Sequence, residues 1–271
     1  MEMGTNMTKP SVNELSEIAK KVRVDIVKMI FEAGSGHPGG SLSAVELLVA
    51  LYYGQLRKED KFFLSNGHIC PAWFSVLAEK GLIEKELLST YAKLGSPLQG
   101  HPERKFLSLV ENTSGPLGLG LAQAAGYATA SRLDKKDLRV YCMVSDAEHN
   151  EGNTWEAISF ANKYKLSNLT LIVDRNGIQI EGTTEEIMPL GSLASKYQSF
   201  GWEVIEIDGH NFDEIFKAFE DAKSFKDNPC VIIAATTFGK GVSYMEGNPS
   251  WHAKAPNKEE FEKAMEELKN A

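Results

Sequence analysis

Three cysteines in 271 residues, Cys70, Cys142 and Cys230, are too few and too scattered for a disulfide framework, and none forms a CxxC pair suited to zinc. Such usage fits a reducing cytoplasm. Basic charge is also short. Against 37 Asp and Glu stand 29 Lys and Arg, a formal net charge of −8, which argues against a nucleic-acid binder resting on a positive surface. No apolar run approaches the roughly 20 residues that span a bilayer, and residues 1–10 are polar with no signal peptide. The expectation is a soluble, cytoplasmic protein with no membrane or nucleic-acid partner. Repeats and low-complexity tracts are missing. Several ligand signatures are missing too. No strand precedes the glycines at 115–120, whose order departs from GxGxxG. No Ser or Thr follows Lys240, so Phe238-Gly239-Lys240-Gly241 is no P-loop, and neither HxxH nor HExxH occurs.

What remains is an ordinary globular composition, 42% hydrophobic and 24% charged, with enough length for one large domain or two small ones. Ser11 with Glu14 reads as a capping box. Ile18, Val22, Ile26, Met29 and Ile30 then repeat at helical spacing until Gly34. A glycine-rich stretch, 34–40, precedes a helix expected at 42–53. A short strand is expected at 62–64 and a helix from 69 to 79. Residues 85–118 read as mostly loop, punctuated by Gly and Pro, and a loop that long in a compact domain is usually functional. The second half alternates: strands at 139–145, 169–173, 203–207 and 230–235, and helices at 154–164, 190–200, 212–222 and 259–269. Continuous apolar strands alternating with helices predict an α/β fold, a parallel β-sheet with helices on both faces. Ligands of such sheets lie beyond the strands' carboxyl ends. This places weight on three polar clusters, 146–151, 174–182 and 236–241.

Asp146 and Asn176 each follow a strand. A carboxylate and an amide oxygen, with a backbone carbonyl nearby, suit a hard cation such as Mg²⁺; a helix cap and a turn residue are the plainer alternative. Glycines opening a helix at 115–120 let backbone N–H groups approach phosphate. Four of the six histidines, His37, His68, His101 and His252, lie in Gly- or Pro-bearing loops. Proton handling or hydroxyl recognition suits them better than metal ligation, since imidazole titrates near neutrality.

Seven segments together resemble the transketolase family, in its thiamine-diphosphate domain, across residues 11–260: Ser35-Gly36-His37-Pro38-Gly39, Leu64-Ser65-Asn66-Gly67-His68, Gly100-His101-Pro102-Glu103, Gly115-Pro116-Leu117-Gly118, Glu151-Gly152 with Trp155-Glu156-Ala157, residues 176–182, and Asp208-Gly209-His210. The resemblance implies the thiamin-diphosphate-binding fold and a diphosphate-binding domain filling 1–271. It implies thiamine diphosphate held through Mg²⁺ (or Ca²⁺) by Asp146, Asn176 and the carbonyl of Ile178. His68 would contact the diphosphate, while Gly115, Leu117 and Ile180 would lie by the cofactor rings. His37, His101 and His252 would surround the reactive carbon and move protons, and Glu151 would support cofactor activation at a subunit interface. The reaction implied is transfer of a two-carbon ketol unit from a ketose phosphate to an aldose phosphate.

Two departures shape the expectation. The family's Gly-Asp-Gly reads Ser145-Asp146-Ala147 here, so Ala147 is expected to weaken cofactor binding through its methyl or through torsions costly for Ala. His149 beside it reads as an exposed loop histidine or a proton donor near the diphosphate. The family's pyrimidine-binding and C-terminal domains are not in the chain. They are expected on a partner of about 300 residues in an α2β2 assembly. The alternative is a non-catalytic, transketolase-like binding or regulatory protein with a degenerate cofactor motif.

Overall fold

The computed structural model describes residues 10–270, so the polar residues 1–9 lie outside the described part. Helix α1 (Val12–Ala33) begins as expected. The Ser11 side chain accepts from the Glu14 N–H, and the Glu14 carboxylate accepts from the Ser11 N–H at 2.8 Å. It ends where Gly34 takes φ +64°, a left-handed cap that glycine adopts without backbone strain. The stretch read as glycine-rich loop is shorter than expected, because α2 (Pro38–Ser43) starts inside it. Pro38 supplies a preset helical φ at the first position, and the Ser41 hydroxyl donates to the His37 carbonyl at 2.7 Å. Helix α3 (Val45–Ala50) continues through a π turn at Leu51–Gln55.

Then come β1 (Lys61–Leu64), α4 (Cys70–Glu79), α5 (Leu119–Leu133), β2 (Val140–Ser145), α6 (Gly152–Lys163) and β3 (Leu169–Arg175). A small hairpin, β4 (Ile178–Gln179) and β5 (Gly182–Thr183), leads to α7 (Thr184–Ile187) and α8 (Leu193–Ser199). The chain finishes with β6 (Glu203–Asp208), α9 (Phe212–Ser224), β7 (Cys230–Ala235) and α10 (Lys258–Asn270). Between the 3₁₀ turn at Lys85–Thr90 and α5 there is no helix or strand, in line with the long loop expected there.

The five main strands form one parallel sheet in the order β1-β2-β3-β7-β6. Their side chains alternate between two cores. Tyr141, Met143, Ile172, Ile232 and Ala234 face a core built with α1, α3, α4 and α9. Val140, Cys142, Val144, Leu171, Val173 and Val231 face a second, built with α5, α6 and α8. Burial on both faces is why these strands read as continuous apolar runs rather than alternating ones. Each such side chain removed from water contributes about 1.5–3 kcal/mol before entropy is counted. No helix among the described residues is long and apolar enough to cross a membrane. Register sets Ser145 beside Asp174 and Arg175 beside Ala235. The segments leaving β2, β3 and β7 therefore emerge side by side at one edge.

Candidate active site

At that edge lies a cleft of about 280 Å³. His37 arrives on the turn between α1 and α2, His68 on the turn after β1, His101 on the long loop, and His252 after the 3₁₀ turn at Pro249–Trp251. Their rings meet: His37 is 5.2 Å from His68, 6.1 Å from His101 and 5.4 Å from His252, centroid to centroid. Residues from opposite ends of the chain thus share one cavity. Desolvation, reinforced by the His252 and His101 rings, pulls His37 down to about 4. Burial also lowers His68, His101 and His252. All four imidazoles are therefore neutral at pH 7, each able to donate one hydrogen bond and accept one. The Nδ1 atom of His37 is buried and has no partner.

Gly115, Leu117, Ala147, Glu151, Asn176, Ile178 and Ile180 also line the cleft. Asp146 lies just behind its wall, fully buried. Its Oδ2 accepts from the Gly177 N–H at 2.7 Å and from Arg175 Nη1 at 3.0 Å, and its Oδ1 accepts from the Ala147 N–H at 2.7 Å. Burial pushes its carboxyl up to about 6, partly offset by the Gly177 N–H. The amide of Asn176 is oriented from behind, since its Nδ2 donates to Asp174 Oδ2 at 3.0 Å. That leaves Oδ1 as the oxygen facing forward, where it accepts the Ile178 N–H at 3.0 Å. Asp174 itself is fully buried and also accepts the Ser43 hydroxyl at 2.6 Å and the Thr236 hydroxyl.

Two close approaches shape the cleft. Gly118, with φ +81°, precedes α5; a Cβ there would stand 2.1 Å from Asn153 Oδ1. At Gly39 a Cβ would stand 2.0 Å from the ring of Phe238, which also lines the cleft. The loop bearing Phe238 is anchored twice, by Thr236 on Asp174 and by the Thr237 N–H on His210 Nε2 at 2.8 Å. His210 therefore carries its proton on Nδ1, which donates to Glu46 at 2.9 Å. Burial opposes ionisation of Glu46, but Arg23 and His210 outweigh it and hold the carboxyl at about 2.

Several expectations change at the loop after β2. His149 is neither exposed nor directed at the cleft. It is 2% exposed and bonds Tyr197 Oη at 2.7 Å and the Asp146 carbonyl at 2.8 Å, beneath the second core. Ala147 opens a 3₁₀ turn and is not among the residues with positive φ, so the torsional objection falls away and only its methyl remains in the cleft. Ile180 does carry backbone strain, at φ +52°, a region costly for a β-branched residue. Phe238, Gln179, Asn150, Arg175, Asp174 and Glu148 went unnoticed as site residues. Only their position at or just beyond strand ends signalled them.

The model of the family described as transketolase, thiamine diphosphate binding domain, matches residues 15–269. One subunit of the apulose-4-phosphate transketolase of Phocaeicola vulgatus is 39% identical over 95% of this chain and 94% of its own length. The 6-deoxy-6-sulfo-D-fructose transketolase subunit SqwG of Clostridium sp. is 38% identical over 94% of this chain and 96% of its own length. Among solved structures, the transketolase of Campylobacter jejuni superposes with a TM-score of 0.90 at 34% identity, over 96% of this chain and 43% of the enzyme.

Proposed function

Since the chain belongs to the transketolase family by its thiamine diphosphate-binding domain, we propose that it is the cofactor-binding subunit of a two-chain transketolase. The observation that carries the reading is the meeting of four neutral histidines in one cleft lined by Asn176 and Ile178, with the Asp146 carboxylate buried just behind its wall. These three residues would hold Mg²⁺ or Ca²⁺. The donor set fits: it is all oxygen, as hard cations require, and Asp174 turns the amide so that its oxygen faces forward. No group of three or more His, Cys, Asp or Glu among the described residues could hold a metal unaided. An ion here would draw its remaining ligands from diphosphate and water. His68 would contact the diphosphate, with Gly115, Leu117, Ala147 and Ile180 against the cofactor's rings.

Bound there, thiamine diphosphate supplies a nucleophilic carbon for a ketose carbonyl and a ring that accepts electrons as a carbon–carbon bond breaks. The protein's part is orientation and proton transfer. Neutral His37, His101 and His252 would bind the sugar hydroxyls, each ring offering one donor and one acceptor nitrogen, and His37 Nδ1 has no partner within the protein. Glu151 lines the open side of the cleft and would support cofactor activation where two chains meet.

A cleft of about 280 Å³ is at the small end for a ligand of this size, as expected if a second chain completes it. Ile180, Ile187 and Met188 expose large apolar side chains in the segment beside it, a pattern of docking surfaces. Relatives named as single subunits of transketolases match along nearly their whole length. The family's pyrimidine-binding and C-terminal domains would accordingly be supplied by a partner of about 300 residues, in an α2β2 assembly of the cytoplasm acting on sugar phosphates. Calorimetry with thiamine diphosphate and Mg²⁺, on the chain with its co-purifying partner, tests the reading. Saturable binding and ketol transfer are expected; absence of cofactor binding would overturn it.

A further inference from the structure

The walls of the cleft come from segments far apart in sequence, and one side chain joins three of them from behind. Glu148 does not line the cleft and is fully buried. Its Oε1 accepts the Ser65 hydroxyl and the Gly118 N–H, and its Oε2 accepts the Ser145 N–H at 3.2 Å. Ser65 Oγ in turn accepts the Gly120 N–H at 3.0 Å, and Thr154 Oγ1 donates to the Glu148 carbonyl at 3.0 Å. Every arm ends at or near a cleft residue. Ser65 sits three positions before His68, Gly118 follows Leu117, and Ser145 itself lines the cleft and leads into Asp146.

Taking a carboxylate out of water costs several kcal/mol even after relaxation. Three donors and the N-terminal turn of α5 offset that cost here. An apolar side chain would fill the same space without needing them, but it would not tie the segments together. Oxygen acceptors with a fixed spacing set the separation of the turn after β1, the entrance to α5 and the end of β2.

We infer that Glu148 is the positioning residue of the cofactor site, holding the His68 turn, the Leu117 turn and the Asp146 strand end at the separation a bound diphosphate cofactor needs. This rests on the cofactor reading above. The test uses the full chain, with its co-purifying partner where cofactor affinity is read, and Glu148→Gln, which keeps the shape but turns an amide group toward an N–H or hydroxyl donor. In the cofactor-free chain, hydrogen exchange at Gly118, Gly120 and Ser145 should quicken at least tenfold while Val231 in the sheet centre keeps its protection. Affinity for thiamine diphosphate with Mg²⁺ should fall at least tenfold. Ser65→Ala should give a similar loss, and the double variant should be little worse than either single one. Should Glu148→Gln fail to fold, Ser65→Ala carries the same two readouts. Unchanged exchange at those amides, or unchanged affinity, overturns the proposal. A wild-type chain that binds no cofactor even with its co-purifying partner present would instead sink the cofactor reading, with the exchange data still deciding whether Glu148 couples the three segments.

Discussion

Replacing Gly39 with Ala sets two effects of known size against each other. Gly39 lies within α2, where Ala is favoured over Gly by about 1 kcal/mol. An added Cβ, however, would stand 2.0 Å from Phe238 Cζ and 2.1 Å from Cε1, against a contact distance near 3.5–4.0 Å for carbon pairs. The ring must therefore move by about 1.5 Å or more. Phe238 is only 2% exposed, and the Gly239 N–H donates to the Gly39 carbonyl at 2.9 Å, so the two backbones cannot slide apart. Overpacking of this kind costs about 1–3 kcal/mol. The net expectation is a loss of up to about 2 kcal/mol, read as a lower denaturant midpoint with unchanged slope. Because the ring's free side is the cleft, cofactor affinity should fall as well. In a Phe238→Leu background the obstructing ring atoms are gone, and Gly39→Ala should become neutral or stabilising. The reasoning is refuted if Gly39→Ala stabilises the wild-type chain, or if the Phe238→Leu background leaves its effect unchanged. Gly34→Ala is the control: no atom lies within 4 Å, so only the strain at φ +64° remains, about 1–2 kcal/mol with no effect on the cleft.

Acidification supplies another check. His37 is depressed from 6.5 to about 4 by burial and its neighbouring imidazoles; its contribution is complete above pH 6.5 and is lost as pH falls through about 4. After screening for partial exposure the loss is about 1–2 kcal/mol, and His37→Gln should flatten the pH dependence of the thermal midpoint in that window. Asp174→Asn places an amide against three donors, Ser43, Thr236 and Asn176. Denaturation should show a loss of about 2–3 kcal/mol, and calorimetry a weaker Mg²⁺ dependence of cofactor binding. A full Mg²⁺ response would refute the role given to Asp174. Ala147→Gly should tighten cofactor binding by removing a methyl from the cleft, while lowering stability by about 0.5–1 kcal/mol through backbone freedom. Unchanged affinity would show that the methyl does not meet the cofactor.

Much of this architecture was legible in the chain. The Ser11–Glu14 box, the strands expected at 139–145 and 230–235, and the loop before α5 all stand within a residue of where local pattern put them. The first turn of α2 was missed, residues 38–40 reading as part of a glycine-rich stretch, because successive glycines mask a helix that Pro38 starts and the Ser41 hydroxyl ties to the His37 carbonyl. The loop 146–151 defeated sequence reasoning for a different reason. Glu148, His149 and Asn150 in a row look like a solvated turn, yet Glu148 and His149 are buried, pointing to different partners on Ser65 and Tyr197. Side-chain direction in a short 3₁₀ turn follows from what is packed beneath it, which polarity does not encode.

By itself the sequence determined the elements and their class. Apolar continuity dictates strands buried on both faces, helical periodicity dictates the layers over them, and the order of the loop motifs names the family. These are local signals, carried between residues a few positions apart. Only the tertiary structure brought His68, His101 and His252 within about 6 Å of His37 and made their rings neutral. It also turned the Asn176 oxygen forward and set Phe238 on Gly39. Those outcomes depend on the strand order β1-β2-β3-β7-β6, which is settled by how two cores close across the whole chain, and on desolvation, which exists only once they have closed.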